Sequence, residues 1–202
     1  MSDTIKAQRE QLAQLALEKP ELLQELIDRL NGSSRRHRQN AAATLAAVAA
    51  LDSKALLPCQ DDLIAALENS EAQTRWECID ALSRLLPEGL TVDDDLLDDV
   101  ESALFDEESG LLRLAAMRFV CRYAVVAENG YATAWPMIDE AIQCYHGDPE
   151  FMDMLVAVVE MSEHELPEAI AHELASRMEF DAGHSRGMLK KRAQQILDNL
   201  NK

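Results

Sequence analysis

Placed above residues 63–82, LIAALENSEAQTRWECIDAL, the stretch 26–45, LIDRLNGSSRRHRQNAAATL, matches at Leu26 with Leu63, Ile27 with Ile64, Leu30 with Leu67, Arg38 with Arg75 and Leu45 with Leu82, a constant offset of 37. A third copy, VESALFDEESGLLRLAAMRFV at 100–120, carries one extra residue in its turn, so that Arg113 falls on Arg75 and Ala116 on Cys78. Near the end, LKKRAQQIL at 189–197 repeats the second half of the unit, with Lys190 at the basic position, Ala193 at the small one and Leu197 at the close. Self-similarity at this period means a stack of small supersecondary units, each unable to bury its apolar face alone.

Within each unit the apolar residues recur at spacings of three and four, which predicts helices; no stretch alternates as a strand would. In PELLQELIDRLNG, Pro20 suits a first helical turn, Leu22, Leu23, Leu26, Ile27 and Leu30 make one face, and Gly32 suits the end. Ser33 or Ser34 is placed to cap the following helix, and SEAQ at 70–73 reads as a capping box with Ser70 as cap and Gln73 reaching back. ENG predicts a helix end at Gly130, and GDPE at 147–150 predicts an end followed by a new start. Aromatic residues are only 4% of the chain, so the core must come mainly from Leu, Ala, Ile, Val and Met, a helical palette.

The second helices read Arg38, Ala41, Ala42, Leu45; Arg75, Cys78, Ile79, Leu82; and Arg113, Ala116, Met117, Val120. This pattern of a base, two small or apolar residues and a leucine-like residue resembles the HEAT and armadillo-like repeats. The resemblance spans about residues 20–202, with DPEFMDMLVAVV lacking the base. It implies an all-α fold, a right-handed α-solenoid of stacked antiparallel helix pairs with about ten helices. The expected organisation is a single domain over 1–202, with a capping helix at 3–18 and repeats at about 20–57, 58–93, 94–135, 136–165 and 166–202. Small residues at the crossings let successive helices approach closely. The resemblance also implies that first helices form the convex side and second helices the concave side, where partners bind.

The formal net charge is −18, yet residues 1–57 carry +1 and the remainder −19. VDDDLLDDVESALFDEE, residues 92–108, holds nine acids and no base and falls on a first helix. Between residues 58 and 135 every base, Arg75, Arg84, Arg113, Arg118 and Arg122, falls on a second helix. Positions outside the apolar rows and the recurring base align as Gln39, Trp76, Leu114; Ala43, Asp80, Arg118; and Ala47, Arg84, Arg122, and are expected to point outward. They define a candidate partner-binding stripe of Trp76, Asp80, Arg84, Arg118 and Arg122, with Arg35 and Arg36 at its near edge. Arginine beside an exposed tryptophan is a composition of interface hot spots. The same residues also suit a plainer role, with Trp76 filling a gap between units and the arginines pairing with acids of neighbouring helices.

Other chemistries find less support. AAATLAAVAAL at 41–51 is far short of the ~20 residues that span a membrane, and the N-terminus lacks the apolar region of a secretory signal; a cytoplasmic protein is expected. Cys59, Cys78, Cys121 and Cys144 form no CxxC pair, which predicts reduced thiols, Cys78 and Cys121 buried, rather than a zinc or redox site. The 92–108 acids interrupt themselves with leucines and lack the glycine of a calcium loop; aspartates at 93–95 suit a helix N-terminus instead. HELAS at 172–176 and HELPE at 164–168 miss the second histidine of a zinc-protease helix, at Ser176 and Glu168. His164-Glu165 and His172-Glu173 resemble the paired iron ligands of the HEAT-like deoxyhypusine hydroxylases, but they sit in one region and not at repeat spacing. A HEAT-like DNA glycosylase would need a basic concave surface, and a chain of pI near 4.5 repels polyanions. The expectation is a non-enzymatic scaffold that binds a protein or peptide, with no cofactor, metal, membrane or nucleic acid; the alternative is an enzyme on the same scaffold, metal-dependent and hydroxylase-like or nucleic-acid-processing.

Overall fold

The computed structural model describes residues 2–202, and among the described residues every regular element is helical. Eleven α-helices divide between two compact units, one ending at Ser102 and the other beginning at Ala103.

The first unit holds α1 (Ser2–Glu18), α2 (Pro20–Leu30), α3 (Arg35–Leu51), α4 (Gln60–Ala65), α5 (Ala72–Leu85) and most of α6 (Asp94–Leu104). Pro20 opens α2 as expected, because its missing N–H costs nothing in a first turn. Pro58 falls in the 3-10 segment Ser53–Cys59, so the helix expected there splits into 3-10, α and 3-10 pieces. α3 is the hub, packed against α1, α2 and α5. Its Ala41, Ala42, Ala43, Ala46 and Ala49 are all buried, as are Ala13 and Ala16 of α1. Alanine on both sides of a crossing leaves only backbone-sized ridges, so the axes come close. Leu45, Val48, Leu63, Ile79, Leu82 and Leu85 complete the core.

The second unit holds α7 (Gly110–Val126), α8 (Gly130–Cys144), α9 (Phe151–Ser162), α10 (Glu168–His184) and α11 (Gly187–Leu200), beside the last two residues of α6. α7 packs on α8 and α9, α9 on α11, and α10 on α11. Phe119, Val120, Ile138, Leu155, Leu174 and Ile196 are fully buried among them.

Three local expectations are corrected. Ser70 is exposed and caps nothing: Glu71 takes the N-cap position of α5 without a side-chain cap bond, its carboxylate being turned to Arg38. Gly130 does not end a helix. α7 stops at Val126, Asn129 adopts the left-handed turn with φ 57°, and Gly130 starts α8 where a Cβ would collide with the carbonyls of Tyr123 and Ala124. α8 thus begins ahead of residue 136 and carries Pro136 inside it. Finally, Ala43 and Leu114 do not point outward: Ala43 is walled in by α1, and Leu114 is only 6% exposed because α7 is apolar around most of its circumference.

Candidate functional site

The recurring arginine proves to be a clamp. Arg38 donates through Nη1 to the Gly32 carbonyl at 2.9 Å and through Nη2 to Glu71. Arg113 donates to the Asp106 carbonyl at 2.8 Å and to Glu150 at 2.6 Å, and its guanidinium lies 4.9 Å from the centre of the Tyr145 ring. Each therefore ties the turn before its own helix to the acid that opens a following one. Arg75 acts on Asp99, opposing the upward push that burial and the neighbouring Glu68, Asp95 and Asp98 exert on that carboxyl. Lys190 is exposed and does none of this; Arg192, two residues on, donates to the Met152 carbonyl and lies 3.8 Å from Asp153.

The first unit also carries a cleft of about 470 Å³ between α1, α3 and α5. Its floor is Ala43, Ala46, Ala47, Ala50 and Leu51, and Leu51 is 49% exposed. One wall is Lys6, Arg9, Glu10 and Gln14 of α1; the other is Glu77, Asp80 and Arg84 of α5. Lys6 lies 4.0 Å from Glu10, and Arg84 donates to Asp80 at 3.3 Å, so each wall neutralises part of itself along its own helix. Glu77 is not fully compensated. Burial raises its carboxyl above the ordinary range; Arg9 pulls it down, Asp80 pushes it up, and hydrogen bonds from Trp76 and Gln73 pull it down again.

The residues of the stripe read from the sequence fall in both units. Trp76, Asp80 and Arg84 share one face of α5, half-buried, and Asp80 and Arg84 line the cleft. Arg36 stands exposed seven residues before Ala43, two helical turns along the same face of α3. Arg35 is exposed beside the Arg38 clamp and helps hold the Glu71 carboxyl below its ordinary range, while His37 lines a separate hollow with Glu25, Asp28 and Arg29. Arg118 and Arg122 belong to α7 of the second unit, exposed and half-buried respectively, and each is engaged by other groups of the chain. The α1 wall was missed by the sequence reading. Its signal was the pair Ala13 and Ala16, whose spacing marks a helix that crosses another closely.

Of the two near-miss catalytic motifs, HELAS has one residue in structural use. Glu173 accepts from the indole N–H of Trp135 at 2.6 Å, and one turn further along α10 Arg177 grips Asp139 with two bonds of 2.7 and 3.0 Å. Asp93 accepts from the Leu96 amide at 2.9 Å, so the first of the 92–108 acids caps α6. Among the described residues no group of three or more His, Cys, Asp or Glu is placed to hold a metal ion. No helix among them is long and apolar enough to cross a membrane.

These features define a helical-repeat protein with an alanine-floored cleft between α1, α3 and α5. Solved structures agree on the class. The chain is similar to a designed armadillo repeat protein in complex with the peptide (KR)4, with a TM-score of 0.67 and 15% identity over 97% of this chain and 92% of that one. It is similar to computationally designed armadillo repeat proteins for modular peptide recognition, at 0.63 and 14% over 98% and 94%. An archaeal HEAT-like repeats protein from Thermococcus onnurineus NA1 matches at 0.52 and 14% over 96% and 92%. No protein-family model and no curated protein matches the chain. The fold is that of the HEAT and armadillo-like helical repeats.

Proposed function

We propose that this chain is a non-enzymatic peptide-binding module, and that the cleft between α1, α3 and α5 receives a segment with apolar anchors and a net positive charge. The observation that carries this reading is the cleft itself: an apolar floor ending in the exposed Leu51, between two walls of charged side chains. A helix face of alanine at the base of a groove offers contact area without protruding side chains, so a peptide can lie close to it. The positive sign follows from two sources. A chain of formal charge −18 draws cations at long range, and Glu77, under-compensated in its wall, gains from a cation brought beside it. The similar designed protein binds (KR)4, which agrees in sign. Trp76 and Arg84 flank the contact, while Arg35, Arg36, Arg118 and Arg122 lie outside it.

The test is fluorescence anisotropy with a labelled peptide alternating Lys-Leu and Arg-Leu. Saturable binding weakened about tenfold or more by Ala47→Arg, which fills the cleft without touching the core beneath, is expected. Binding that Ala47→Arg leaves unchanged in a protein of unaltered helicity sinks the assignment.

A further inference from the structure

The α10/α11 hairpin carries a surface of opposite character. Phe180 is 67% exposed and stacks on His184, their ring centres 4.9 Å apart. His184 also sets Nδ1 3.2 Å from the Phe180 carbonyl, which holds the two rings as one plate. Met188, 50% exposed, follows at the start of α11 across the short turn, so both large apolar side chains stand at the same end of the hairpin. The charges there are unlike the rest of the chain. From Ala182 to Leu197 there are four bases and no acid, with Glu179 and Asp181 on either side of Phe180 and Asp198 beyond, within a protein that has 37 acids and 19 bases; Asp181 is buried and held by His146 and Ser185.

Arg192 turns inward to Met152 and Asp153. Arg186, Lys190 and Lys191 are exposed and make no hydrogen bond or ion pair among the described residues, although Arg38, Arg113 and Arg177 all find carboxylates. They also sit where positive charge is least welcome. Arg186 is the N-cap of α11 with no side-chain cap bond, no acid occupies its first turn, and the bases therefore add to the positive end of the helix dipole. Arg186 at the N-cap and Lys190 one turn on both stand at this end of α11, so an anion docked here would meet uncompensated cations beside amides without a side-chain cap.

We propose that this end of the hairpin is a second docking surface, which binds an acidic peptide segment whose apolar side chain packs on the plate of Phe180, His184 and Met188. The chain's overall negative charge does not forbid it, because at physiological salt charges beyond roughly 8 Å are largely screened and the local cations decide. That screening favours a short acidic peptide over nucleic acid, whose phosphates would run on into the acidic remainder.

The experiment is anisotropy of a labelled peptide alternating Glu and Leu, at physiological salt, with the full chain. Saturable binding is expected, weakened about tenfold or more by K190E/K191E and separately by Phe180→Ser, both at exposed positions. Ala47→Arg should leave it unchanged, and K190E/K191E should not weaken the basic probe, so this surface and the cleft fail independently. Absence of saturable binding, insensitivity to both hairpin variants, tighter binding of a single-stranded oligonucleotide, or sedimentation showing self-association through Phe180 would each overturn the proposal.

Discussion

The Nε–H of Arg113 donates to Oε1 of Glu150 over 2.6 Å, joining α7 to the N-cap of α9 across 37 residues of chain. Both side chains are largely removed from solvent, 12% and 10% exposed, so neither charge has water to fall back on. Removing one partner leaves the other buried and uncompensated. Arg113→Met is therefore expected to cost about 3 kcal/mol in urea unfolding, and the double variant R113M/E150M markedly less than twice that. A loss in the double variant equal to the sum of the losses in Arg113→Met and Glu150→Met would show that the pair is not coupled.

Glu71 gives the clamp of the first unit a pH signature. The hydrogen bond from Arg38 holds its folded carboxyl below the ordinary value of 4.5, burial opposing in part. A carboxyl depressed in the folded state stabilises above its unfolded value, and that stability is lost as pH falls through 4.5 toward the folded value. Urea midpoints measured between neutral pH and pH 3 should fall more steeply for the wild type than for Glu71→Gln.

Glu77 has the opposite sign. Its carboxyl is raised, mainly by burial, so the folded state holds this proton more tightly than the unfolded one and loses stability as pH rises through the folded value. Glu77→Gln should raise the urea midpoint at pH 7 and weaken the basic peptide. A variant both more stable and poorer in binding is the pattern of a residue kept for function.

Gly130→Ala tests the α7/α8 turn. The added Cβ meets the Tyr123 and Ala124 carbonyls, which are backbone and cannot rotate away. The expected loss is about 1–3 kcal/mol despite alanine's better helix propensity, read by thermal or urea unfolding.

The thiols should separate cleanly by reactivity. All four are free; Cys144 is exposed, Cys59 half-buried, and Cys78 and Cys121 are buried, with their thiols pushed far above the ordinary range by loss of water. Burial with a nearby Asp62 also raises Cys59. A disulfide reagent on native protein should label Cys144 first and Cys59 slowly, and reach Cys78 and Cys121 only on unfolding.

The linear order of residues determined the class of fold and the helix pairs, because a helix's apolar spacing and its small crossing residues are local facts that survive without knowledge of the neighbours. It also marked the recurring base of Arg38, Arg75 and Arg113, although not its use: that Arg38 would find Glu71, and Arg113 Glu150, depends on how far one pair is displaced on the next. Ser70 lost the cap to Glu71 for the same reason, an acid at that turn being worth more beside a buried guanidinium than a hydroxyl at the helix end. Outward direction was the least legible property. Ala43 and Leu114 occupy positions that the repeat left over, and tertiary packing covered both, whereas Lys6, Arg9 and Glu10, read only as part of a cap, became a wall. Composition along the chain says which residues must be hidden. Which of the others share a surface is decided by the helices laid against them, and in RRHR at 35–38 that packing sends neighbours to a clamp, a hollow and open water.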